Sequence, residues 1–292
     1  EKQYFAKKIT NYSYTSIMNN ENLSDLDLKI SYKTTDADDP INEFYIPCLN
    51  HSEEFFRSVG YFRSSIFLIT GEAIIDFAKR GGKIHLICSP ELTQEDMDTI
   101  SAGKATIESV TTRYINDDID SLLEQSEDKY AVKVLATLLK VQALEVKIAI
   151  KEGGSGIYHA KAGIFSDSQN NQVSFIGSAN ETWNAWDHRG NHEIIEVFCS
   201  WKDAERVQQH KLDFDHLWKS NTPGVRTIKF PEAMKEKLIK VAYDRLEKID
   251  PRKPPGTKPG KGPGTRPIVR PKKIHNLFDH QGEALENWKL ND

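Results

Sequence analysis

The chain has 292 residues, 38% of them hydrophobic and 28% charged, with a formal net charge of −4. That length holds one large domain or two smaller ones, and the composition suits a globular body. No apolar run approaches the ~20 residues of a membrane span, no basic-then-apolar leader opens the chain, and Cys48, Cys88 and Cys199 have neither the number nor the spacing of a disulfide framework or zinc site, so the expectation is a cytoplasmic protein with buried thiols.

Residues 1–40 are polar and weakly periodic, and are expected as an N-terminal extension. From Phe44 the pattern firms: Tyr45 to Leu49 leads into a short helix over His51–Arg57, then a strand from Ser58 to Phe62. Ile66 to Lys79 is amphipathic at helical period, Arg80-Gly81-Gly82 ends it, and Lys83–Cys88 reads as a buried strand. Strand–helix–strand predicts a parallel pair joined by a right-handed crossover. Residues 118–143 are helical by the spacing of Leu122, Leu123, Val132, Leu135, Leu138 and Leu139. Glu145–Ile150 is a strand and Gly153–Gly156 a loop. Two strands then flank the polar turn Asp167–Gln172, another follows at Glu193–Phe198, and helices are expected at Asp203–Trp218 and Pro231–Lys248. The fold class is α/β, a mixed sheet flanked by helices, over residues 41–249.

Residues 250–273 are rich in proline, glycine and lysine and cannot build a core; they read as a semi-extended linker. Residues 251–273 hold eight cations and no acid, and setting these aside lowers the formal charge from −4 to −12. The body is therefore no uniformly basic nucleic-acid platform, and a polyanion site in it must be a local pocket. Residues 274–292 turn apolar and helical again, as if the chain were cut from something longer.

The chemistry concentrates at Tyr158-His159-Ala160-Lys161 and Gly177-Ser178-Ala179-Asn180-Glu181. On a strand, residues two apart share a face, so His159 and Lys161 should project together. An imidazole beside a fixed cation suits attack on an anionic phosphorus centre. Ser178-x-x-Glu181 also fits a capping box opening a helix, whose N-terminus would offer N–H donors to phosphate. His188 and His192 lie four apart in a glycine-interrupted loop without a third ligand, which suits surface histidines better than a metal pair. Trp183, Trp186, Trp201 and Trp218 are read as mainly core, with base stacking the alternative.

The HxK…GSxN set resembles the phospholipase D superfamily, with His159, Lys161, Gly177, Ser178 and Asn180 at the matching positions and Glu193 best fitting the family's downstream glutamate. After Lys161 and four further residues the family has Asp, whereas Ser166 stands there and Asp167 follows. The resemblance implies one histidine that attacks phosphorus to form a phosphohistidine and a second that protonates the leaving oxygen, with no metal or other cofactor. It gives Lys161, Asn180 and Ser178 the substrate phosphate and Glu193 the other ring N–H of His159. No second HxK occurs in the chain, so a homodimer with one composite site is expected.

No amphipathic basic helix, lipidation motif or apolar lid argues for a lipid surface, and no membrane partner is expected. Residues 277–288, with Gln281, resemble the entry segment of DEAD/DEAH-type helicases, and residues 44–220 resemble the phospholipase D-like domains fused ahead of such helicases. This implies residues 274–292 as the start of a truncated helicase domain, with DNA, a second copy and the helicase as partners. The expected activity is an endonuclease module of a bacterial nuclease–helicase in a restriction or phage-defence system. The alternative is a catalytically silent module that dimerises or docks DNA for the helicase.

Overall fold

Glu54-Phe-Phe-Arg-Ser58 is buried from Phe55 onward on both faces, a pattern that only a strand in the interior of a sheet sustains. The computed structural model describes residues 22–35, 38–60, 62, 64–89, 106–125, 129–152 and 158–249. Among these, the strands are β1 Ser31–Lys33, β2 Glu54–Ser58, β3 Lys83–Cys88, β4 Leu144–Lys151, β5 Ala162–Ser166, β6 Gln172–Gly177, β7 Ile194–Cys199 and β8 Val225–Lys229. They form one eight-stranded mixed sheet in the order β1-β7-β6-β5-β2-β3-β4-β8. The crossover from β2 to β3 is parallel as expected, though its first strand is Glu54–Ser58 where Ser58–Phe62 was expected; β4 extends it in parallel, and the other neighbours are antiparallel.

The helices are α1 Ile46–Asn50, α2 Phe67–Lys79, α3 Ile107–Gln125, α4 Lys129–Lys140, α5 Trp183–Trp186, α6 Ala204–Trp218 and α7 Glu232–Ile239. On one face of the sheet, Phe55, Phe165 and Phe175 stack in a ladder, and Phe44, Tyr45 and Trp186 meet it edge-on. On the other face, Phe56, Ile87, Ala149 and Ile164 are closed over by Phe214 and Leu217 of α6. The alternation of β2 thus sends Phe56 towards α6 and both Phe55 and Arg57 towards the larger core. Among the described residues, no helix is long and apolar enough to cross a membrane.

Several boundaries differ from expectation. The helix placed at His51–Arg57 lies earlier, over Ile41–Asn50, beginning with a π-helical turn at Ile41–Tyr45. His51 N and Ser52 Oγ close its end on Pro47 and Leu49 carbonyls, which frees the chain to extend where Phe55 and Phe56 must reach opposite faces. The single helix over 118–143 is two, α3 and α4. The last helix ends at Ile239, and a 3-10 turn at Leu246–Lys248 follows. β8 had no counterpart in the expectation. The 1–40 extension is part of the fold from Leu23 onward: Leu23, Leu28 and Tyr32 are buried, and β1 pairs with β7. The loop 153–156, the linker 250–273 and residues 274–292 lie outside the described residues.

Asp167, which stands one place beyond the position of the family's aspartate, clamps the β5–β6 turn. Its carboxylate accepts from the backbone N–H of Gln169 and Asn171, from Asn171 Nδ2 and from the N–H of Leu23, at 2.9–3.0 Å. Asp167→Ala strands these donors and should lower stability by about 2–4 kcal/mol. A urea midpoint that does not move would refute the clamp.

Candidate active site

Antiparallel pairing brings the start of β5, the end of β6, the start of β7 and the end of β2 to one end of the sheet. The β2–β5 ladder stops at Ser58–Ala162, so His159 and Lys161 lie in the segment just before β5 and not on the strand expected. Their two-residue spacing still brings them together. Lys161 Nζ lies 3.1 and 3.0 Å from the two ring nitrogens of His159 and 3.1 Å from the His159 carbonyl. An ammonium so evenly placed between both nitrogens favours neither, so this contact does not select a tautomer. His159 is exposed and Lys161 half-buried. Tyr158 anchors the segment: it packs on the α6-side cluster and hydrogen-bonds the Ser58 side chain, and burial pushes its phenol up.

Gly177 ends β6 where a Cβ would fall on the Ile194 carbonyl, so only glycine permits β6 and β7 to approach this closely. Its N–H donates to the Lys161 carbonyl at 3.2 Å, tying the GSxN segment to the HxK segment. Ser178 N–H donates to Ile194 O and Ser178 Oγ accepts from Ile194 N–H, both at 3.2 Å. Ser178 is thus fixed beside Glu193. Asn180 is half-buried in the same segment, its carbonyl accepting from Thr182 N–H at 3.0 Å.

Glu193 is buried just before β7. Its carboxylate accepts from Asn191 Nδ2 at 3.1 Å, and among the described residues it makes no hydrogen bond to His159. Its backbone is gripped by Thr34: Glu193 N–H donates to Thr34 Oγ1 at 2.7 Å and Thr34 N–H to Glu193 O at 3.1 Å. Its charge reaches Lys161. Burial holds the Lys161 ammonium below the ordinary lysine value, the Arg57 cation adds to that, and Glu193 opposes it.

Arg57 was not among the residues expected here. It is 1% exposed, with Nε 2.6 Å from Glu181 Oε2 and Nη2 donating to the Ala179 carbonyl at 2.6 Å. Its guanidinium lies over the Phe175 ring, 5.0 Å from the centroid. Tyr45 OH donates to the other Glu181 oxygen at 2.6 Å, and burial with the Glu181 charge drives that phenol well above its usual value. Glu181 therefore points inward as the counter-ion of Arg57. The expected capping box does not form: Thr182 caps α5 by accepting from Ala185 N–H, and Ser178 lies outside any helix. α5 has four residues, which leaves no helix N-terminus for phosphate. No signal in the sequence marks Arg57: residues 51–57 read as a helix, and a charged side chain there reads as exposed.

Elsewhere, His188 and His192 are exposed, and Trp183 and Trp186 are core. Trp201 and Trp218 are part-buried, the latter beneath Lys147 Nζ at 4.2 Å from its centroid. Among the described residues, no cluster of three or more His, Cys, Asp or Glu could hold a metal ion.

Removing one member of a buried ion pair leaves an uncompensated charge, at a cost of about 3–5 kcal/mol. Arg57→Met should destabilise by that amount in chemical denaturation, and adding Glu181→Gln, which removes the stranded charge yet keeps an acceptor for Tyr45, should recover much of it. Additive losses would refute the pairing.

A family model described as the PLD-like domain of cardiolipin synthase matches residues 45–218, more than half of the chain. No curated protein matches it in sequence. Among solved structures it is similar to NucT from Helicobacter pylori, at 17% identity over 65% of this chain and 91% of that one, TM-score 0.38. It is also similar to Nuc, a phospholipase D family member from Salmonella typhimurium, at 11% identity over 68% and 97%, TM-score 0.37. Phosphatidylserine synthase of Haemophilus influenzae Rd KW20 matches at 11% identity over 72% and 44%, TM-score 0.41. With the matched span covering α1 through α6 and containing both the HxK and the GSxN segments, the chain belongs to the PLD-like domain family.

Proposed function

We propose that this chain is a phosphodiesterase, the nuclease module of a bacterial nuclease–helicase of a restriction or phage-defence system, which cuts DNA without a metal. The observation that carries the reading is the contact of Lys161 with His159 at the open end of the sheet. Lys161 is part-desolvated and repelled by Arg57, so an anionic phosphate arriving there stabilises its charged form. In this reading His159 attacks phosphorus, Lys161, Ser178 and Asn180 hold the nonbridging oxygens as charge grows on them, and Glu193 sets the electrostatics around Lys161.

One chain supplies one HxK histidine, so the leaving-group acid comes from a second copy. Support for a homodimer lies in Ile176 of β6 and Ile194 of β7, 39% and 42% exposed at the rim of the site. The register Ile176–Glu196 sets these two side chains as diagonal neighbours on one face. The helicase context rests on the resemblances of residues 277–288 and 44–220 alone.

One observation favours the second reading, a silent DNA-docking module: the Glu193 carboxylate is bonded to Asn191 and leaves His159 without a carboxylate to orient it. The readings part in a single assay. Under the nuclease reading, the protein nicks plasmid or oligonucleotide DNA in excess EDTA, and His159→Ala abolishes this. DNA binding with no nicking under any condition decides for docking. The nuclease reading also fixes the alkaline limb of the rate: because Lys161 must be charged to hold phosphate and its pKa lies below 10.5, the rate should fall as pH rises, earlier than for an ordinary lysine. Ile176→Asp with Ile194→Asp should give a monomer in analytical ultracentrifugation and lose cleavage; a stable dimer would remove these residues from the interface.

A further inference from the structure

Gly60 is buried two residues past the last β2–β5 ladder pair, Ser58–Ala162. Continuing that antiparallel register carries Gly60 to the level of Ala160, alongside His159. A Cβ on Gly60 would stand 2.9 Å from His159 Cδ2, 3.4 Å from its Cα and 3.5 Å from its Cγ. Carbon atoms rest at about 3.5–4.0 Å, so the imidazole lies against bare backbone with no room for a methyl group. Backbone conformation does not require glycine here: among the described residues the glycines with positive φ are Gly81 and Gly224. The demand for glycine at 60 is steric and comes from the ring.

We propose that Gly60 is a positioning residue, the backbone wall that, opposite the Lys161 ammonium, fixes where the His159 imidazole stands. Its role in the reaction rests on the reading of His159 as the reacting group. The two sides of the contact differ in rigidity. Gly60 follows Val59, whose N–H is bonded to Ile87 O at 2.9 Å in the middle of the sheet. His159 is exposed, on a segment that precedes its strand. A methyl at 60 is therefore accommodated by the ring, and the fold has little to lose. A displacement approaching 1 Å at a reacting group costs up to about 100-fold in rate.

The test compares Gly60→Ala and Gly60→Ser with Gly163→Ala, in the full chain. Gly163 is the contrasting case, because its Cβ would enter the Phe175 ring in the core. Three quantities are read: the thermal midpoint, kcat and KM on an oligonucleotide, and the His159 ring signals in 1H–13C NMR. The Gly60 variants should keep the wild-type midpoint and KM, lose about 10–100-fold in kcat, and shift the His159 ring signals. Gly163→Ala should lower the midpoint. The proposal is overturned if the Gly60 variants keep wild-type kcat and ring signals, or if they lose as much stability as Gly163→Ala. Should the wild type cleave nothing, the nuclease reading falls, and the ring signals alone still decide whether Gly60 positions His159.

Discussion

The candidate site depends on a buried cation. Arg57 leaves water entirely, a state that needs a counter-ion, and its Nη1 has no hydrogen-bond partner among the described residues. Glu181 supplies the charge and the Ala179 carbonyl takes a second donor, at 2.6 Å each. Both partners lie in the short stretch that follows β6. The requirement to neutralise one side chain of β2 thus fixes the path of Ser178-Ala179-Asn180-Glu181, and the exposed Ser178 and half-buried Asn180 inherit positions set by an interaction beneath them. Tyr45, bonded to the second Glu181 oxygen, extends the same network to the turn ahead of α1. Side chains from β2, the α1 region and the β6–β7 connection are held in one polar knot within an aromatic core.

The knot also has an electrostatic consequence at the surface. The Arg57 charge and the burial of Lys161 both disfavour the ammonium, and Glu193 opposes them. An anion placed beside Lys161 would add an attraction that offsets both the burial and the Arg57 repulsion. Burial on one side and exposure on the other are what separate such a site from a solvated lysine on a strand face. The same geometry explains why the pair needs no strand beneath it: Lys161 is held by the Gly177 N–H on its carbonyl and reaches back across His159.

Sequence patterns reported the local physics and missed the distant physics. The period-3.6 stretch of α2, the apolar positions of β3 and the helix of α6 were legible because the residues that define them also bury them. The joint projection of His159 and Lys161 was legible because a two-residue spacing holds in any extended chain, ladder or not. β8 was missed although Val225-Arg-Thr-Ile-Lys229 alternates after Pro223-Gly224, since its identity as a strand is settled by pairing with β4. Arg57 and Glu181 were opaque for a stronger reason. A charged residue reads as exposed until its partner is known, and this partner lies 124 positions away. Ser178-x-x-Glu181 has the spacing of a helix cap, yet the unmet charge of Arg57 draws Glu181 inward and leaves the cap to Thr182.

The displaced aspartate follows from the alternation of β5. Phe165 faces the larger core, so Ser166 faces the α6 side, and a carboxylate one residue later returns to the core side at the turn. There Asp167 reaches Leu23 N–H, which a side chain at position 166 would point away from. Leu23 opens the segment that continues into β1 and Thr34, and Thr34 grips Glu193 through both its hydroxyl and its N–H. A one-residue shift in the motif therefore recruits the N-terminal segment as a strap: it is fastened at Asp167 at the far end of β5 and presses on Glu193 at the site. A stretch that looked featureless in sequence thus holds Glu193, the acidic neighbour of the HxK and GSxN segments, in place.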